Sequence, residues 1–401
     1  MLMEFERLAT EAEKLTTVFA SETGIDRNKI RVVASPYRIC PLGAHIDHQG
    51  GPVLGMTINA YTILAYVPTE DGTISLRSLN YPGNVAFHLD RIPENTGSFW
   101  GIYARGAVLA LKEVHTLKRG IIGLLKGYLP GGGLSSSASI LLAYLSVLGE
   151  ANDLQPAPWD FVDLTQCAEN IHIGLNNGIL DQTSIVFGLK DHLLHIDTQN
   201  KSVASYKAME TRSAYHVLIA YSGYSRELTT TGYNSRVDEC RKAARLLAEF
   251  DKGSPADRLG DIDEGVFQRY GNKLPPHLYR RAAHFFTETA RVRDGLDAWC
   301  RGDIETFGSL MFASCKSSIE QYECGSQAIH DLQQIVSQTE GIIGSRFSGG
   351  GFGGCVVGLV KASKAERAAR NIRITYQKRH PEAADQAAVY LAKSENGVRF
   401  L

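Results

Sequence analysis

The placement of glycine constrains this chain more than any other feature. Of its 39 glycines, Gly43, Gly50, Gly51 and Gly55 form one group and Gly127, Gly131, Gly132 and Gly133 a second, while eight more fall between residues 341 and 358. About a tenth of the chain is glycine, against a usual ~7%. Glycine lets a backbone approach a ligand closely and turn where other residues cannot. Three dense groups so far apart in sequence point to loops that converge on one ligand. No repeat of 20–50 residues recurs, and no segment is of low complexity, so solenoid and disordered classes are set aside.

Hydrophobic periodicity around those groups predicts an α+β chain. Strands are expected at Lys29–Ala34, Val53–Val67, Thr73–Ser78, Val85–Leu89, Ile121–Leu125, His192–Asp197 and Tyr215–Tyr221. Helices are expected at Trp100–Glu113, Ser135–Gly149 and Trp159–Ile173. Beyond about residue 205 the character changes to helices at Ser235–Phe250, Pro276–Cys300, Ile304–Ala313 and Ser326–Gln338. Two strands, Ile342–Phe347 and Cys355–Leu359, flank the third glycine group. The expectation is therefore a strand-rich domain over 1–205 and a helix-rich α/β domain over 206–401.

Charge excludes several functions. With 42 basic and 43 acidic side chains the chain lacks the excess that nucleic acid or an anionic membrane surface selects for. The basic run from Lys361 to Arg379 reads as the solvated face of an amphipathic helix, its spacers being Ala365, Ala368, Ala369 and Ile372. The apolar stretch Ile140–Leu148 is too short to cross a bilayer, and the N-terminal residues show no secretory pattern. Seven cysteines, an odd number without a C-x-x-C pair, read as reduced thiols in a cytoplasmic protein.

Chemistry concentrates at the glycine groups. The second reads Leu129-Pro-Gly-Gly-Gly-Leu-Ser-Ser-Ser-Ala-Ser139 and runs into an apolar helix. A tight turn of amides followed by a helix N-terminus suits a di- or triphosphate, and serine hydroxyls there suit Mg²⁺. It is neither a Walker A loop nor G-x-G-x-x-G. A plain capping serine is the competing reading, although a cap needs one serine and not three. The first group, Ser35-Pro-Tyr-Arg-Ile-Cys-Pro-Leu-Gly-Ala-His-Ile-Asp-His-Gln-Gly-Gly51, sets an arginine, two histidines and an aspartate after a strand, where binding residues tend to lie. A metal held by His45, Asp47 and His48 would want a fourth ligand, and none is evident. The third, Arg346-Phe-Ser-Gly-Gly-Gly-Phe-Gly-Gly-Cys355, is a glycine-rich turn between strands.

In this order and spacing the three motifs resemble those of the GHMP sugar and metabolite kinases, and within them the galactokinase branch. The first resembles P-G-R-V-N-L-I-G-E-H-T-D-Y-N-G-G, the second P-x-G-x-G-L-S-S-S-A-S, and the third S-G-G-G-F-G-G-C. Asn177-Gly-Ile-Leu-Asp-Gln182 is similar to the G-I-M-D-Q signature, and Gly232–Cys240 to E-Y-x-x-R-R-x-x-C. The resemblance runs from about residue 30 to about 360. It implies a two-domain α+β kinase, with the active site between the domains, that uses ATP and Mg²⁺. Asp181 would be the catalytic aspartate and Arg38 its arginine partner. Gly131, Gly132, Gly133, Leu134, Ser135, Ser136 and Ser137 would cradle the nucleotide. Ser137 and Glu169 would hold the metal, and Ala44, His45, Asp47 and Tyr233 would line the sugar site. Monomer and homodimer both fit.

Three departures stand out. Tyr37 replaces the glycine of P-G-R, the second motif is one residue shorter between its proline and its leucine, and Ala44 replaces the glutamate of G-E-H-x-D. In galactokinases that glutamate accepts a hydrogen bond from the C6 hydroxyl of galactose. Against a C6 carboxylate it would instead repel: two unit charges ~4 Å apart at an effective dielectric of ~20 cost about 4 kcal/mol, nearly three decades in affinity. The lost hydrogen bond is worth less, about 1.5–3 kcal/mol. Alanine therefore helps a uronic acid more than it harms galactose. The same strings, with Leu228-Thr-Thr-Thr-Gly-Tyr-Asn234, resemble the plant galacturonokinases, which implies phosphorylation of D-galacturonate at its anomeric oxygen. Arg226 is the expected partner of the carboxylate, with Thr229 and Thr230 as neutral donors. A galactokinase tolerant at C6 and an inactive sugar- and ATP-binding sensor are the competing functions.

Overall fold

The computed structural model describes residues 3–94, 100–128, 133–207, 214–224, 232–351 and 353–401. Alternating apolar residues produce a larger sheet whose path runs 399–400, 31–39, 53–69, 120–127, 73–78 and 84–88; the strands 192–197 and 202–207 join it at the start of 53–69. The long strand Val53–Thr69 is buried along most of its length. On this sheet packs the helix Ser136–Ala151, which is apolar on almost every side because Gly101–Val114, Pro158–Cys167 and Leu180–Phe187 surround it. A helix that is hydrophobic all round has no face to offer water and must lie inside.

The smaller sheet has the order 3–4, 388–392, 215–221, 355–361 and 342–347. Helices Ile304–Glu320, Gln327–Gln338 and Ala365–Arg379 pack on its strands, with Pro276–Cys300 and Tyr233–Phe250 beyond them. This is an α+β fold of two domains. The chain leaves the larger sheet after Ser202–Lys207 and enters the smaller at Tyr215–Tyr221. Its ends cross over: Met3–Glu4 pairs with Ala388–Ala392, and Arg399–Phe400 pairs with Arg31–Ile39. Each terminus thus fastens the sheet built mainly by the other half. In Ala365–Arg379 the residues Ala365, Ala368, Ala369, Ile372 and Tyr376 face inward, leaving the basic run outside, where Arg370 pairs with Glu366 and Arg379 with Asp331. No described helix is long and apolar enough to cross a membrane.

Two differences from the periodicity reading bear on the site. The first strand does not stop at Ala34 but continues to Ile39, with a register shift between Pro36 and Tyr37. Proline cannot donate to a ladder, and a bulge beside it accommodates the missing N–H. Arg38 therefore projects from a paired strand rather than from a loop. The single helix expected over Trp159–Ile173 is an α-helix to Cys167 followed by a π-helix, Ala168–Ile173, that ends on Gly174 with φ 88°. The wider π turn re-aims the residues it carries.

Candidate active site

The described parts of the three glycine groups meet in one cleft of about 620 Å³ between the two sheets' helices and loops. The contact is backbone on backbone. A Cβ on Gly133 would sit 2.6 Å from the Ser348 carbonyl oxygen, and Gly133 has φ +70°, so only glycine lets the second and third loops touch here. The first group is tied in by Arg38, whose backbone N–H donates to Leu134 O at 3.2 Å. One turn into the helix, the Ser139 hydroxyl donates to Ser35 O at 2.8 Å.

Arg38 is 4% exposed and places both Nε and Nη2 2.7 Å from Oδ1 of Asp181, in the first turn of Leu180–Phe187. Its Nη1 reaches Gly133 O and Ser348 Oγ, each at 3.4 Å, so one guanidinium joins all three groups. Among the described residues nothing hydrogen-bonds Oδ2 of Asp181. That oxygen is left to accept from a hydroxyl in the cleft.

Ser135, Ser136 and Ser137 line the cleft where Ser136–Ala151 begins. Ser135 occupies the left-handed region (φ 63°), yet its side chain makes no capping hydrogen bond and its buried hydroxyl has no described partner. A serine placed only to cap would bond the second or third helical N–H. Glu169, on the π-helix, is fully buried, and among the described residues neither carboxylate oxygen has a hydrogen-bond partner. Burial, with the Asp181 charge adding, pushes its pKa up to about 8; Ser137 and Asn177 lie near enough to oppose the shift without completing a bond. A buried carboxyl with two unclaimed oxygens, facing a serine, is a donor set awaiting a hard cation.

The cleft is also lined by Ala44, His45, Asp47 and Tyr233. Ala44 is 7% exposed and its carbonyl accepts from His284 Nε2 at 2.9 Å. His45 holds φ 64° and stacks on Tyr322 with ring centroids 4.6 Å apart. Burial, reinforced by Arg346, drives its pKa well below the usual histidine range, so the ring is neutral. Asp47 accepts the Leu180 N–H at 3.2 Å, and burial with the nearby Asp181 charge pushes its carboxyl up to about 6. Tyr233 opens the helix Tyr233–Phe250 and lies close enough to Asp47, Asp181 and Glu169 to feel all three charges. A metal between His45, Asp47 and His48 finds no support: His45 Nε2 faces Cys324 Sγ, and His48 Nε2 bonds the Tyr322 hydroxyl at 3.0 Å.

Gly131, Gly132 and Arg226 lie outside the described residues. Sequence reasoning gave no role to the aromatic end of the cleft, where Tyr81, Trp100 and Tyr103 offer flat apolar walls. It also passed over Arg346, a buried cation on the wall. Its position immediately before the third glycine group was the available signal.

Comparison with known proteins agrees with this geometry. Residues 103–189 match the GHMP kinases N terminal domain, 296–378 match GHMP kinases C terminal, and 17–68 match the galactokinase galactose-binding signature. The chain is 41% identical over 397 residues to the galacturonokinase of Arabidopsis thaliana, covering 94% of each. It is 32% identical over 368 residues to the galactokinase of Roseiflexus sp. (strain RS-1), covering 92% of each. Lactococcus lactis galactokinase complexed with galactose superposes with a TM-score of 0.88 at 29% identity, over 98% of this chain and 100% of that one. A mevalonate kinase shares the fold with a TM-score of 0.63 at 18% identity, over 91% of this chain and 99% of that one. The chain belongs to the GHMP kinases, in the galactokinase branch.

Proposed function

We propose that this chain is a galacturonokinase, which transfers the γ-phosphoryl group of ATP to the anomeric oxygen of D-galacturonate and releases galacturonate 1-phosphate and ADP. The observation that carries the substrate is Ala44: the wall where galactokinases have a carboxylate holds a methyl group, flanked by a neutral histidine. The 41% identity to the Arabidopsis galacturonokinase supports the same reading.

The geometry supports the following roles. The sugar's C1 end lies at Asp181, whose free Oδ2 accepts the anomeric O–H and takes its proton as that oxygen bonds to phosphorus. The bond from phosphorus to the ADP oxygen breaks in the same displacement. Arg38 holds Asp181 in place, and its Nη1 points at the glycine loops where the transferring group would pass. His45, Asp47 and Tyr233 bind the other hydroxyls, and the backbone of residues 131–134 with Ser135 and Ser136 cradles the phosphates. Ser137 and Glu169 would hold Mg²⁺, which when bound neutralises phosphate charge. The aromatic end takes the base. The same reading makes it a cytoplasmic enzyme that works as a monomer or homodimer.

An ADP-release screen with galactose, galacturonate, glucuronate and arabinose tests this reading. Galacturonate should give the highest kcat/KM. Faster turnover of galactose would favour a galactokinase tolerant at C6, and no release with any sugar would leave an ATP-binding sensor.

A further inference from the structure

We propose that Glu113, Cys167 and His172 form a Zn²⁺ site that clamps the helix Gly101–Val114 to the π-helix. None of the three lines the cleft, and none enters the chemistry at Asp181. Among the described residues they are the one group of three histidine, cysteine or carboxylate ligand atoms lying within 4.8 Å of one another. His172 Nε2 is 3.0 Å from Oε1 of Glu113, and Cys167 Sγ is 3.4 Å from Oε2 of the same carboxylate. Zinc bonds of about 2.0–2.3 Å place tetrahedral ligands roughly 3.3–3.8 Å apart, so an ion fits here with side-chain adjustment alone. His172 is 15% exposed and Glu113 48%, which leaves an entry path and room for a water as fourth ligand.

The π turn is what brings the ligands together. In an α-helix, side chains five residues apart point about 140° away from each other and could not share an ion. Between Cys167 and His172 the chain runs through the π-helix Ala168–Ile173, where the Gly174 N–H donates to Glu169 O at 2.9 Å. That wider turn carries the fifth residue back over the first, and such turns are frequent at functional sites. The third ligand comes from the neighbouring helix. Gly106 and Glu113, seven residues apart, share one of its faces, and at Gly106 that face is tight: a Cβ would meet Ile173 Cδ1 at 3.5 Å and Ala168 Cβ at 3.6 Å. Glu113 also sits in the last turn of Gly101–Val114, where the helix dipole disfavours a carboxylate and favours a cation beside it.

The donor set selects the metal. One thiolate, one imidazole and one carboxylate suit Zn²⁺, whereas Mg²⁺ demands an octahedron of oxygens and is not drawn to this site. On binding, the metal replaces the thiol proton, which leaves to solvent, while the imidazole coordinates as the neutral ring. Occupancy would fix both ends of the turn that carries Glu169.

Co²⁺ is the probe, because a cobalt–thiolate bond absorbs by charge transfer in the near ultraviolet and oxygen-ligated cobalt does not. The reduced enzyme, with Mg²⁺ in excess, is titrated with Co²⁺. The band should saturate at one ion per chain and disappear when Zn²⁺ is added. Cys167→Ser should lose it, and His172→Ala and Glu113→Gln should each need roughly tenfold more Co²⁺ or beyond to reach it. Circular dichroism verifies the fold of each variant, and should one fail to fold, the other two decide by the same readout. Zn²⁺ should also raise the unfolding temperature of the wild type and leave that of Cys167→Ser unmoved. No band in the wild type, or a band unchanged in Cys167→Ser or in His172→Ala, would overturn the site. Equal thermal shifts in wild type and Cys167→Ser would overturn the clamp.

Discussion

Replacing Ala44 with glutamate should turn this enzyme from galacturonate towards galactose. The side chain would enter a wall where Ala44 is 7% exposed and its carbonyl is fixed by His284 at 2.9 Å, so the new carboxylate has little freedom to swing into water. His45 and His284 are neutral there and would not absorb its charge. At ~4 Å from the substrate's carboxylate and an effective dielectric of ~20, repulsion is about 4 kcal/mol, or two to three decades in kcat/KM for galacturonate. Galactose moves the other way, regaining a charge-assisted hydrogen bond of about 1.5–3 kcal/mol, roughly tenfold or more. The assay is steady-state ADP release on both sugars with one enzyme preparation. Were Ala44 merely a space-filler, Glu would crowd the wall and harm both sugars alike. An unchanged galactose-to-galacturonate ratio would refute the charge argument, because misfolding cannot alter that ratio.

Asp181→Asn should abolish turnover while leaving ATP binding nearly intact, measured by calorimetry beside single-turnover rates; turnover within about tenfold of wild type removes Asp181 from the chemistry. Ser137→Ala should raise the Mg²⁺ concentration needed for half-maximal rate and leave sugar affinity unchanged, and an unaltered Mg²⁺ titration would make the serine a structural residue only. The raised pKa of Asp47 means that its carboxylate is lost as pH falls through about 6, so kcat/KM for the sugar should decline below that pH. A profile flat to pH 5 would contradict this. Gly133→Ala should push the second and third loops apart, since its Cβ meets Ser348 O at 2.6 Å, and should weaken ATP binding by roughly tenfold or more; unchanged affinity would show that the loops do not act together.

What could be read from the chain alone was whatever a short stretch carries by itself. Leu129–Ser139 announces a turn and a helix start through its own glycines and serines, and the buried helix after it announces itself by lacking a polar face. The strands on either side of the third glycine group were equally local. Long-range pairing was not readable. The two-residue strands Met3–Glu4 and Arg399–Phe400 have no pattern of their own and exist because a partner edge lies beside them. Pro36 looked like the end of a strand that in fact continues, because the neighbouring bulge is a property of the pair. The π turn that buries Glu169 leaves no periodic trace, so its two unpartnered oxygens come only from the fold. Arg346 meets Glu288, which also pairs with Arg291, more than fifty residues away on another helix.

The central claim is that this cleft phosphorylates a uronic acid at its anomeric oxygen in preference to the neutral sugar. The most direct measurement puts equal concentrations of galacturonate and galactose in one tube with limiting ATP and Mg²⁺, and reads the products by ³¹P NMR. The product ratio then equals the ratio of kcat/KM values, with enzyme concentration and folded fraction cancelling. The expected outcome is galacturonate 1-phosphate in at least tenfold excess, its phosphorus coupled to H1. Equal products, a majority of galactose 1-phosphate, or phosphate on any other oxygen would contradict the account.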